Sequence, residues 1–171
     1  MTSGIAKRAA LLILIVTTVG CDRVTKHFAA STLPQMPRQS FFADTVRLEY
    51  IENPGAFMGL GAEWRPEVRV LLFTVGNALL LSAMVLVAWR LRWSGAAVAG
   101  LGLLVAGGGS NLIDRVARGH VIDFLNVGLG PLRTGIFNVA DMAVMLGAAL
   151  IVYGGYHAGE EPADAIATAS D

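Results

Sequence analysis

The chain has 171 residues, 54 % of them hydrophobic and 15 % charged, with a mean hydropathy of +0.59. Soluble domains carry about 25 % charged residues, so the composition excludes an ordinary soluble domain and points to a single polytopic membrane domain. Lys plus Arg and Asp plus Glu number 13 each. That balance leaves no basic excess for nucleic acid, and the lone cysteine, Cys21, excludes an intrachain disulfide. His27, His120 and His157 are far apart and no His-Glu-x-x-His occurs, so neither a metal nor another cofactor is expected.

A bilayer crossing needs about 20 apolar residues. Four segments qualify, at roughly 8–30, 68–90, 93–113 and 136–156. The first is the weakest, because Asp22, Arg23 and Lys26 follow its uncharged run. Between Val70 and Trp89 the second has Asn77 as its one strongly polar residue. The third is uncharged and rich in small residues, and the fourth carries Asn138 and Asp141. Gly100, Gly102, Gly107, Gly108, Gly109 and Gly147 predict a close approach of the third and fourth helices. Between the first two spans, residues 31–67 are polar. Within them Val46, Leu48 and Tyr50 alternate with Arg47 and Glu49, a strand period, and Asn53-Pro-Gly55 reads as a turn. A small sheet on the membrane surface is therefore expected. Residues 115–135 are expected to form a second loop on the same side, and the acidic, Ala-rich tail 159–171 to be disordered. Lys7, Arg8, Arg90 and Arg92 favour one orientation, but Arg38, Arg47, Arg65, Arg115, Arg118 and Arg133 lie opposite, so charge alone does not settle it.

Two aspartates, Asp123 in His-Val-Ile-Asp-Phe and Asp141 in Phe-Asn-Val-Ala-Asp, sit in or beside these apolar segments. A carboxylate in hydrocarbon costs about 2.5–3.5 kcal/mol even on lenient scales and is a functional candidate by default. Two of them, with no matching Lys in the same segments, suggest a pair sharing one proton, as in aspartic proteases. Asn111, Asp114 and Arg115 fall on one helical face, as do Asn138 and Asp141. The intervening loop is short enough to bring Asp123 towards Asp141. The plainer reading is a set of interhelical hydrogen bonds that hold the bundle together.

Other polar residues have competing readings. Asp114 and Arg115, an adjacent acid and base at a helix end, read as structural, satisfying each other or the backbone. Asp22 either pairs with Lys26 four residues on or faces the site. His120 either tunes Asp123 or is an ordinary interfacial histidine. Asn53 either makes a turn or binds a substrate main chain. Ser110 lacks the Gly-x-Ser-x-Gly setting of a nucleophile. Lys7, Arg8, an apolar run and Thr-Val-Gly-Cys21 look like a lipoprotein signal peptide. Against cleavage there, Thr18 stands where Leu is usual and three further spans follow.

The segments Asp22-Arg-Val-Thr-Lys26, Asn53-Pro-Gly-Ala-Phe57, Gly108-Gly-Ser-Asn-Leu-Ile-Asp-Arg115, Gly119-His-Val-Ile-Asp-Phe124 and Phe137-Asn-Val-Ala-Asp141, taken in this order, resemble the lipoprotein signal peptidase (signal peptidase II) family from about Leu11 to Tyr153. The family pattern Asn-x-Gly-Ala-x-Phe is met with Pro54 as the first x and Phe57 one residue early. The resemblance implies a mainly α membrane protein of the bacterial inner membrane, with four transmembrane helices, a small periplasmic β-sheet and surface loop, and both termini in the cytoplasm. It implies that Asp123 and Asp141 are the catalytic dyad, with supporting roles for Asp22, Asn53, Asn111, Asp114, Arg115 and Asn138. Lys26 and Gly55, in the same segments, are further supporting or substrate-binding candidates. The implied substrate is a prolipoprotein whose cysteine already carries a diacylglyceryl group, cut just before that cysteine. Membrane lipid is the other expected partner, and a monomer is expected. The loop around Asn53 to Gly61 is a candidate lid. The competing reading is a small ion-coupled transporter or proton channel with relay aspartates, which the lack of an evident repeat disfavours. A structural membrane subunit is third.

Overall fold

The computed structural model describes residues 2–56, 59–90, 93 and 95–158. Phe57, Met58, Arg92 and the tail 159–171 lie outside the described residues, and so do the expectations that fall on them. Helix α1 spans Thr2–Thr32. It runs unbroken through Asp22, Arg23 and Lys26, because these side chains find partners on another helix. It gives way to a short 3-10 turn, Leu33–Gln35, which contains Pro34. Helix α2 covers Pro66–Arg90, with proline at its first position, where no N–H partner is missed. Its Val70–Gly76 section is π-helical. Helix α3 spans Gly95–Arg118 and stops at Gly119, whose φ of +78° suits glycine alone at low cost and whose N–H caps the Arg115 carbonyl at 3.0 Å. Helix α4 spans Val139–Ala158. All four are long and apolar enough to cross a membrane, so the mainly α membrane class expected from the composition holds.

The sheet has four antiparallel strands in the order β1-β2-β3-β4: β1 Gln39–Phe41, β2 Val46–Asn53, β3 Val121–Leu129 and β4 Leu132–Arg133. The expectation that residues 115–135 form a loop is corrected here. Arg115 to Arg118 end helix α3, and β3 and β4 follow. Val121, Ile122, Asp123 and Phe124 are all buried, so β3 is covered on both faces and shows no apolar-polar alternation to read. The β2–β3 register shifts between Leu48 and Ile51 and leaves Ile51 opposite Asp123. Ile122 and Phe124 pack with Leu48 and Tyr50 on Ala29 of α1 and Leu33 of the 3-10 turn that follows it. Strand alternation then turns Asp123 to the opposite face.

Glycines set the helix spacing, but not all in the predicted place. A Cβ at Gly100 would stand 2.6 Å from the Gly147 carbonyl oxygen, and one on Gly147 2.5 Å from that of Gly100. Gly107 faces Ala140. These three, with Gly154 against Ala97, make the close α3–α4 approach. Gly102 instead admits Leu11 of α1, Gly108 admits Leu81 of α2, and Gly109 faces open space.

Candidate active site

Four chain segments meet where α1 and α3 end and α2 and α4 begin. Asn138 and Asp141, three apart at the start of α4, cap it reciprocally. The Asp141 N–H donates to Asn138 Oδ1 at 3.0 Å and the Asn138 N–H donates to Asp141 Oδ2 at 3.1 Å. Asn138 Nδ2 donates to Asp123 Oδ1 at 2.6 Å. One asparagine thus bonds both aspartates. The second oxygen of each is also held. Asn53 Nδ2 donates to Asp123 Oδ2 at 2.8 Å, and Asn111 Nδ2 to Asp141 Oδ1 at 2.8 Å.

The amides cannot simply turn over. Asn53 accepts from the Gly55 N–H at 2.9 Å and donates to the Ala56 carbonyl at 3.0 Å, so its turn geometry fixes which end faces Asp123. Asn111 Oδ1 accepts from Lys26 Nζ at 2.7 Å, which leaves its Nδ2 for Asp141. The two carboxylates, Asn53, Asn111, Arg115 and Ala56 surround a cavity of about 10 Å³, roughly the space of one water. Burial pushes the Asp123 carboxyl up to about 6. The charge of Asp141 acts the same way, and the amides of Asn53 and Asn138 act against it. A larger cleft of about 240 Å³ opens on the Asp123 side, past Asn53 and Pro54. Another of about 460 Å³ opens on the Asp141 side, past Leu72, Phe73 and Leu80 of α2.

Behind the pair lies a buried ionic cluster. Lys26 is 1 % exposed, and its ammonium meets Asp22 and Asp114 at 2.8 Å each, besides Asn111. Both open readings of Asp22 are thereby resolved. It pairs with Lys26, and its other oxygen accepts the Ala140 N–H at 2.8 Å, which fastens α1 to the first turn of α4 beside Asp141. Ser110 donates to Asp22 at 2.6 Å and is fully buried, consistent with its exclusion as a nucleophile. Asp114 and Arg115 do not pair with each other. Asp114 takes Arg23 at 2.6 Å and Arg118 at 3.1 Å, while Arg115 donates across to the Gly55 carbonyl at 2.8 Å. Successive helical residues point in different directions, so neighbours in sequence part company. His120 lies 3.7 Å from Glu52.

Every site residue expected from the sequence, including Gly55, falls in or directly against this cluster. Arg23 and Arg118 were not expected there. Arg118 carried a local signal, its i,i+4 spacing from Asp114; Arg23 carried none. Among the described residues, no group of three or more His, Cys, Asp or Glu could hold a metal ion.

Fold and site together define a multi-pass membrane protein with a carboxylate pair, Asp123 buried and Asp141 half-buried, at one end of its spans. The sequence model of the family described as Signal peptidase (SPase) II matches residues 14–156. The chain is 36 % identical over 134 residues to a lipoprotein signal peptidase of Syntrophomonas wolfei, covering 77 % of this chain and 82 % of that one. It is 34 % identical over 149 residues to that of Desulforapulum autotrophicum, covering 85 % and 92 %. With that of Mycobacterium tuberculosis it shares 35 % over 150 residues, covering 83 % and 68 %. A solved structure of a bacterial membrane enzyme superimposes with a TM-score of 0.77 at 24 % identity, over 89 % of this chain and 90 % of that one. A second, also a bacterial membrane enzyme, gives 0.68 at 25 %, over 85 % and 91 %. The chain belongs to the signal peptidase II family, and the transporter reading is not favoured.

Proposed function

We propose that this membrane protease is an aspartic endopeptidase that removes the signal peptide from diacylglyceryl-modified prolipoproteins, cutting just before the lipidated cysteine. The observation that carries the chemistry is the pair Asp123 and Asp141, bonded through Asn138 and facing one water-sized cavity. Family membership and the names of the relatives support the substrate class. Two close carboxylates do not both ionise cheaply, so the pair holds one proton and titrates as a unit. The ionised member removes a proton from water as the water attacks the scissile carbonyl. The protonated member donates to the developing oxyanion, and a carboxyl proton then passes to the leaving amine. The fixed amides of Asn53, Asn111 and Asn138 keep both carboxyl groups oriented throughout, so little reorganisation is left for the reaction itself.

The same reading places the protein in the bacterial inner membrane as a monomer, with the sheet, the loop from Asn53 to Gly61 and the active site on the periplasmic side. The domain is a single one, with periplasmic parts at residues 31–67 and 115–135. A lipid-modified cysteine would lie at headgroup level, with its acyl chains beside the apolar residues of α2 that line the larger cleft. The test is reconstitution with a lipidated precursor. Asp123→Asn and Asp141→Asn each lower cleavage by at least about 1,000-fold, since members of a catalytic pair fail together. Cleavage persisting in both variants would overturn the mechanism.

A further inference from the structure

A further cleft of about 120 Å³, which shares Arg115 with the carboxylate cavity and Phe73 with the cleft beside Asp141, lies between the first turns of α2 and the last turns of α3. Two half-buried guanidinium groups, those of Arg69 and Arg115, line it, together with Val70, Phe73 and Thr74. No Asp or Glu among the described residues lines it. Neither arginine forms an ion pair among the described residues. The nearest acid in sequence to Arg69, Glu67, is taken by Arg65 at 3.5 Å, and Asp114 is taken by Lys26, Arg23 and Arg118. Asp123 and Asp141 act on Arg115 through space only. Each guanidinium has five N–H donors. Arg69 gives one to the Ala62 carbonyl at 3.2 Å, Arg115 gives one to the Gly55 carbonyl at 2.8 Å, and Arg115 Nε is buried with no partner.

Two guanidinium groups with unmet donors that line one partly buried cleft are satisfied by an anion that both can reach. We propose that this cleft binds the phosphate of an anionic phospholipid from the surrounding bilayer. Guanidinium forks match phosphate oxygens two at a time. The cleft sits at the end of two membrane-length helices, which is headgroup level, and Val70 and Phe73 offer the glycerol and upper acyl chain an apolar wall. Free phosphate has the same charge but no use for that wall. The two arginines also hold Gly55 and Ala62, the two feet of one loop, so a bound headgroup rests against the segment that carries Ala56 over the carboxylate pair.

The measurement is lipid retention, and it is independent of the protease reading. The protein is placed in nanodiscs of phosphatidylcholine with one-fifth phosphatidylglycerol, and the lipids that stay bound after release are counted by native mass spectrometry. The wild type is expected to retain phosphatidylglycerol over phosphatidylcholine by about tenfold, Arg69→Gln to lose most of that preference, and millimolar inorganic phosphate not to compete. Absence of a preference in the wild type overturns the proposal whether or not the variant folds. A preference unchanged in Arg69→Gln overturns it as well, and competition by inorganic phosphate at that concentration overturns the lipid as occupant.

Discussion

Asn138 bonds to both carboxylates, and most of what the site does can be argued from single residues of this kind. Both oxygens of Asp123 accept from amides that cannot turn, so a proton on Asp123 belongs on a lone pair facing the cavity. With its carboxyl raised to about 6, Asp123 keeps that proton below about pH 6 and loses it as pH rises through that value. The kcat/KM of cleavage, which reports the free enzyme, should therefore fall as pH rises through about 6. Substrate that excludes water should move the same limb of kcat upward. A flat kcat/KM between pH 5 and 8 would remove Asp123 as the proton holder. Lys26 makes a different prediction. Lys26→Met leaves Asp22 and Asp114 facing each other without their shared cation, and breaking a buried pair this way costs about 3–5 kcal/mol. Thermal unfolding in detergent should show the loss. Asp123 and Asp141 were legible in the sequence as candidates, because burial cost is a local fact, whereas spacing offered the pairing of Asp22 with Lys26 as one of two readings. The partners of Asp114 and Arg115 were not, since they lie on other segments.

Among the elements, the α3–α4 contact depends on backbone approach at Gly100, Gly107, Gly147 and Gly154. Gly147→Ala places a methyl group against the Gly100 carbonyl and Leu104, an overpacking that costs about 1–3 kcal/mol. Because α4 carries Asp141 and Asn138 at its first turn, activity should fall along with stability. Gly109→Ala meets nothing within 4 Å and should be neutral, or stabilising by up to about 1 kcal/mol through helix propensity. Melting curves of the two variants distinguish packing from propensity, and equal effects would show that the glycines only tune the helix. The glycine-rich run was visible in the sequence as a close-packing signal. Which helix each glycine meets was not, because facing depends on crossing geometry rather than on the spacing of the run.

For the whole molecule, the sheet, the N-termini of α2 and α4 and the C-termini of α1 and α3 lie at one end, and Arg90 at the end of α2 lies at the other. If the sheet is periplasmic, a cysteine introduced at exposed Phe42, in a Cys21→Ser background, should react in intact cells with a membrane-impermeant maleimide. One at Arg90 should react only after lysis. The reverse pattern would invert the proposed orientation, which the near-even distribution of basic residues leaves open.

The sequence by itself determined the membrane class, the number of apolar helices, the carboxylate pair and the family motifs, because burial cost, hydropathy and helical spacing are written along the chain. Tertiary structure alone decided that residues 121–129 are a strand, that Lys26 lies between two acids and Asn111, and that Asp22 caps α4. These contacts join residues 85 and 118 positions apart. Helix crossing and sheet register set such distances, and a one-dimensional pattern carries neither.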